Sequence, residues 1–374
     1  MENYIIDAKI SELIKGQYTY SVHGQSILPN NYTINKDGKI KSLVLDEVPK
    51  ANLNEIVDLL NNYAALEQLV FFSKKGEELD FLANLKNVSE IIIKAPEVLD
   101  YSPLSKIETL TKLNIHDSTV CELSFLSNLN TLKTLELKNN HITNISDLPI
   151  LPELENILLD SNKITEIKPL EKFTGLKSIS IYSNKISDIS ALKNLTNIEK
   201  LYFSYNIIKD ISILENFKKL RFLNLNNNKI TDISSISKLE QLENFYCNNN
   251  PITKIAEDTI LPKLKSISMD SCQLSSIQWI SNSHDLESIS MKYNSIKKID
   301  AIKNLTKLHT LDFEGNSIEY VDFVLDMPCV TKFNIKSNPT GIDKKTQDLF
   351  CAKMNFSFSN NLSERDYYLN NGLL

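Results

Sequence analysis

A 22-residue unit recurs thirteen times in this chain without insertion or deletion. Its pattern is L-x-x-L-x-L-x-x-N-x-I. The Asn position falls at Lys74, Pro96, Ser118, Asn140, Asn162, Asn184, Asn206, Asn228, Asn250, Cys272, Asn294, Asn316 and Asn338. A period this strict settles the architecture before composition does. A unit of this length cannot bury its apolar face alone, so neighbours must stack into one continuous core.

The rung Leu132 to Ile145 shows what each unit does. Leu135 and Leu137 alternate with Thr134, Glu136 and Lys138. Alternation with period two predicts a strand with one buried face. After the strand the chain must turn, which leaves backbone polar groups inside the coil. Those groups need partners. An Asn side chain carries two donors and an acceptor, so Asn140, Asn162, Asn184, Asn206, Asn228, Asn250, Asn294, Asn316 and Asn338 are expected to form a structural ladder. Ser118 and Cys272 can do part of that job. Lys74 and Pro96 cannot, which predicts irregular first rungs.

The return leg carries further apolar positions, such as Ile145, Leu148, Leu151 and Leu154. Pro149, Pro152, Pro169 and Pro262 fall on this leg and favour extended or 3₁₀ segments over long helices. Burying each aliphatic side chain contributes about 1.5–3 kcal/mol. That offsets the ordering of a rung only when neighbours cover both of its faces, so the ends need caps. Residues 1–39 are expected to form an N-terminal cap, with a short helix in 6–15 and a hairpin turning at Asp37-Gly38. Residues 40–340 form the repeat array. The rung after Ile40 starts 26 residues on, and the extra four lie in Asn52–Leu60, which has helical spacing. Residues 341–374 form a C-terminal cap and tail, with a helix over Asp343–Ala352 and a last rung of 23 residues at Phe356, Phe358 and Asn361.

Composition excludes more than it assigns. The net charge of −6 argues against a nucleic-acid partner, which calls for a basic stripe. No apolar run approaches the ~20 residues that cross a bilayer, so no membrane partner is expected. The five cysteines, Cys121, Cys247, Cys272, Cys329 and Cys351, are odd in number and widely spaced, and are expected to be buried free thiols. No nucleophile elbow, phosphate loop, C-x-x-C or H-E-x-x-H occurs, and His23, His116, His141, His284 and His309 are scattered. No catalysis, metal or cofactor is expected. With no basic and apolar leader at Met1, the expected location is cytoplasmic, with export of a chain whose signal is missing here as the alternative.

The outward strand positions carry the functional information. In the middle rungs they hold Tyr182, Tyr202, Phe222 and Tyr246, with Leu158 at one edge and Tyr205 and Tyr293 where strands leave the sheet. Strands ~4.8 Å apart would bring the rings of successive rungs together. Asn224, Asn226, Asn244 and Asn248 border them, while Glu136, Asp160, Lys200 and Asp270 would tune orientation. Such a cluster suits a protein partner, although aromatics also pair across strands for packing alone. Val70, Phe72 and Ile92 on the first rungs are either cap packing or a second contact.

The stretches Ile142–Leu148 and Ile186–Ile198 resemble the 22-residue leucine-rich repeats of bacterial internalins, and are similar to those of the SDS22-type regulatory subunit of protein phosphatase 1. The resemblance covers roughly residues 40–340. It implies an α/β repeat solenoid: a leucine-rich-repeat horseshoe with one long parallel concave sheet and a 3₁₀ or extended convex side. The expected function is a monomeric, non-catalytic protein–protein interaction module that binds on its concave aromatic face. The alternative is a regulatory subunit docked on an enzyme such as a phosphatase.

Overall fold

The computed structural model describes residues 9–10, 12–13, 20–22, 25–27, 32–36, 39–63, 66–74, 78–256 and 259–358. His23, Asp37-Gly38, Asn361 and the last ten residues lie outside them, as does most of the helix expected over 6–15, of which 9–10 and 12–13 are helical. The chain divides into two compact units, Met1–Asn184 and Lys185–Leu374.

The first unit begins with an antiparallel pair, β1 (Tyr20–Val22) and β2 (Gln25–Ile27). Its main sheet then runs β3 (Tyr32–Ile34), β4 (Ile40–Asp46), β5 (Gln68–Phe72), β6 (Glu90–Lys94), β7 (Lys112–Ile115), β8 (Thr134–Glu136), β9 (Asn156–Leu158) and β10 (Ser178–Ser180). Only the β3–β4 pair is antiparallel; every later pair is parallel. Ser42 pairs with Gln68 because helix α1 (Lys50–Tyr63) bridges β4 and β5. Leu53, Ile56, Val57 and Leu60, spaced as one helical face, are all buried beneath it. After α1 the returns shorten to 3₁₀ turns at Asp80–Asn84, Ser102–Lys106, Ser124–Leu126 and Lys168–Lys172. Pro103 and Pro169 sit at turn starts, where a missing N–H is harmless.

The second unit contains β11 (Lys200–Tyr202), β12 (Phe222–Asn224), β13 (Asn244–Tyr246), β14 (Ser266–Ser268), β15 (Ser288–Ser290), β16 (Thr310–Asp312), β17 (Lys332–Asn334) and β18 (Asn355–Ser357), all parallel. Short 3₁₀ returns recur here, as at Ser212–Asn216 and Ser234–Lys238. Between β17 and β18 lies α2 (Lys344–Lys353), whose N-cap Asp343 accepts from the Thr346 N–H. The β18 register is one residue longer than the repeat, with Lys332 opposite Asn355. Phe350 from α2 is buried and stacks on Phe356 at 4.7 Å.

Columns of side chains tie the rungs together inside each unit. Asn228 is representative. Its Nδ2 donates to Phe203 O of the preceding rung and to Leu225 O of its own, both at 3.0 Å, and its Oδ1 accepts from Ile208 N at 3.0 Å. Asn140, Asn162, Asn250, Asn294, Asn316 and Asn338 repeat the arrangement. Asn184 does so toward Ile164 N and Leu159 O, and Asn206 accepts from Ile186 N. Ser118 substitutes with one hydroxyl, accepting from Ala95 N at 2.8 Å and donating to His116 O at 3.0 Å. Cys272 keeps only the donor half: its Sγ–H reaches Cys247 O at 3.1 Å, and Ile252 N turns instead to Asn250 O at 2.9 Å. At the position of Lys74 no amide is available, and its backbone N–H donates to Glu47 Oε1 at 2.8 Å.

One expectation needs correction. Cys247 and Cys272 are buried, but Cys121, Cys329 and Cys351 are exposed, because the last three sit on returns and at the α2 surface rather than on core strand positions. Val70, Phe72 and Ile92 point outward by alternation, yet they are buried to 4–5% exposure in one cluster with Val44. They offer no open contact surface.

Candidate functional site on the outward face

In the second unit, β11, β12 and β13 present their outward residues in register: Lys200 opposite Phe222, Tyr202 opposite Asn224, and Asn224 opposite Tyr246. Tyr202 and Phe222 therefore meet on the diagonal, with centroids 4.6 Å apart and planes tilted by 31°. Phe222 meets Tyr246 the same way at 5.5 Å and 47°. The core side of each strand is sealed by Leu201, Leu223 and Phe245, so the three rings stand on a rigid floor. All three are half-buried, and that burial pushes the Tyr202 phenol above its ordinary range. Tyr246 Oη lies 3.5 Å from Ser266 Oγ. The arrangement is an apolar ridge with two hydroxyls.

Leu158 and Tyr182 lie in the first unit, half-buried and 38% exposed respectively. Tyr293 is two rungs beyond Tyr246, with its hydroxyl donating to Glu314 Oε1 at 3.1 Å. Its ring lies against Gly315, where an added Cβ would meet Cδ1 at 2.5 Å. Tyr205 is 53% exposed on the turn after β11. Both tyrosines occupy a left-handed backbone, with φ of 55° and 54°. The same slot in neighbouring rungs of this unit holds Asn227, Asn249, Ser271, Gly315 and Ser337. A bulky residue there costs about 1–2 kcal/mol relative to glycine.

A second column, two residues before the ladder, was not read from the sequence. Asn226 Oδ1 accepts from Asn248 N at 2.7 Å, Asn248 Oδ1 from Asp270 N at 2.6 Å, and Asp270 Oδ1 from Lys292 N at 2.8 Å. Asp160 Oδ1 accepts from Tyr182 N at 2.9 Å in the first unit. Burial raises the Asp160 carboxyl above its ordinary range, against the hydrogen bonds from Ser180 and Tyr182 N. Asn226, Asn248, Asp160 and Asp270 thus link rungs and are not freely available to adapt to or steer a ligand. The visible signal was a carbonyl-bearing side chain recurring at the repeat spacing.

At His116 the outward face is polar. Asp117 accepts from Lys94 at 2.8 Å and Asn139 at 2.6 Å, and lies 3.3 Å from His116 Nδ1. Burial would raise the Asp117 carboxyl, but these hydrogen bonds hold it well below the usual range. Among the described residues no group of three or more His, Cys, Asp or Glu could hold a metal, and no helix is long and apolar enough to cross a membrane.

Comparison with known proteins converges on one fold. The family described as Leucine Rich repeats (2 copies) matches residues 152–194 and 196–238. No curated protein matches the chain. Among solved structures, an internalin, InlF, of Listeria monocytogenes aligns with a TM-score of 0.72 at 24% identity, covering 85% of this chain and 91% of its own. A leucine-rich-repeat protein of Leptospira interrogans aligns at 0.68 and 18% identity, covering 87% and 93%. The plant peptide hormone receptor RGFR1, in complex with RGF2, aligns at 0.60 and 18%, covering 86% of this chain and 61% of its own. With its 22-residue rungs, parallel strands, 3₁₀ returns and Asn ladder, the chain has a leucine-rich-repeat fold, and its solenoid is similar to that of the internalin.

Proposed function

We propose that this protein is a non-catalytic recognition module that holds a protein partner on the outward face of β11–β13. Leucine-rich repeats are protein–protein interaction modules, and stacked repeats supply long surfaces from which loops or strands of a partner can be read. The observation that carries the reading is the ring chain Tyr202–Phe222–Tyr246. It stacks at 4.6 and 5.5 Å on the solvent side of strands whose cores are already filled. Large aromatic side chains on a fixed floor lose little conformational freedom on binding, which is what an interface hot spot requires.

The test is capture from a lysate with immobilised full-length protein. Tyr202→Ala/Phe222→Ala is expected to lose the partner while keeping the far-UV circular dichroism of the parent. Truncating two hot-spot rings typically costs about 2 kcal/mol or more each. Undiminished capture by the folded double variant sinks the proposal.

A further inference from the structure

The turn after β11 breaks two columns at once. One residue before the ladder, Tyr205 stands where the neighbouring rungs of the unit carry Asn227 and Asn249. One residue after it, Ile207 stands between Lys185 and Lys229. Hydrogen bonds from Ile207 N to Ile186 O and from Lys229 N to Ile208 O stack these three rungs in order. Ile207 is 41% exposed and Tyr205 53%, while both lysines are exposed. Among the described residues neither lysine is in an ion pair. Asp188 and Asp210, further round their rungs, each turn an oxygen to the N–H of Ser190 or Ser212 at 2.8 Å. An apolar centre with a cation on either side is thus left facing solvent.

We propose that this turn is a second contact for the partner of the aromatic face, and that it takes an acidic protein segment. The inference rests on the proposed function and adds the chemistry of the partner. Two rungs separate Lys185 from Lys229, about 10 Å at strand spacing. In a polyproline II segment, residues three apart share a side and lie about 9 Å from each other. The matching segment therefore reads acid, apolar, any, acid. Its two carboxylates pair with Lys185 and Lys229, and its apolar side chain packs on Ile207 and the Tyr205 ring. The aliphatic centre favours a peptide over a phosphate chain, which offers no apolar group at that spacing.

The experiment uses full-length protein and two fluorescein-labelled peptides, one centred on Glu-Leu-Pro-Glu and one on Lys-Leu-Pro-Lys, read by fluorescence anisotropy. The acidic peptide is expected to bind at least about tenfold more tightly, and to weaken with salt. Lys185→Glu/Lys229→Glu is expected to reverse that order, and Ile207→Ser to weaken both peptides. Absence of binding, equal affinity for the two peptides, or a preference that survives the charge reversal overturns the inference. So does tighter binding of a single-stranded RNA oligonucleotide at the same lysines. If any of these holds while Tyr202→Ala/Phe222→Ala still abolishes capture, the aromatic face stands and only the acidic segment falls. If capture is insensitive to the rings, the proposed function itself falls.

Discussion

At the scale of single residues, the ladder separates what a repeat needs from what it tolerates. Asn228→Ala removes the partner of Ile208 N and of two carbonyls in a buried site. It is expected to cost about 2–4 kcal/mol, from unsatisfied buried groups at 1–3 kcal/mol each, read as a lowered urea midpoint. Cys272 shows the cheaper failure, in which the chain reroutes one N–H to its own rung. Burial pushes the Cys272 thiol up to about 12, and raises that of Cys247 as well. Thiol titration of the native protein is therefore expected to find Cys121, Cys329 and Cys351 reactive, and the other two only after denaturation. Asp232 behaves oppositely. The Lys254 ammonium and the Ser234 N–H draw its carboxyl down to about 2. A folded value below the unfolded ~3.9 means its contribution is full above that pH and is lost as pH falls through about 2. That contribution is small, because the side chain is 44% exposed and solvent screens the pair. Carbon-13 titration of the carboxyl checks the direction.

At the scale of elements, alternating charge runs down the entry edge of the strands. In the second unit Glu199, Arg221, Glu243, Lys265 and Glu287 follow one another at the repeat spacing. Arg221 and Lys265 both reach Glu243, at 2.5 and 3.0 Å. Glu243→Lys is expected to lower the midpoint in dilute buffer, with most of the effect vanishing in about 1 M salt, where the Debye length is near 3 Å. Strand positions, 3₁₀ returns and both helices were legible because periodicity and caps are local properties. α1 still runs to Lys50 and Tyr63, beyond the Asn52–Leu60 read from spacing, since its ends are polar and carry no periodic signal. The aromatic positions were legible as well. For Val70, Phe72 and Ile92 cap packing and a second contact both stayed open, because alternation says which side a residue takes but not what lies over it. The same limit hid the work of Asn226, Asn248 and Asp270. An outward amide or carboxylate reads as surface until the neighbouring rung shows an N–H at its oxygen.

For the whole molecule, constant rung length is the property that can be tested by surgery. Excising residues 251–272 joins Asn250 to Gln273 and leaves every column in phase. The shortened chain is expected to stay soluble and cooperatively folded, since each rung answers only to its neighbours. Removing half that length puts core positions into solvent and is expected to unfold the second unit, as circular dichroism would show. Not every rung is interchangeable, however. The ring of Tyr293 occupies the space that any side chain at Gly315 would claim, and Gly315 itself sits at φ 68°. Those two positions form a lock and its keyhole on adjacent storeys. A shuffled array that separates them would push the Tyr293 ring aside and lose its bond to Glu314.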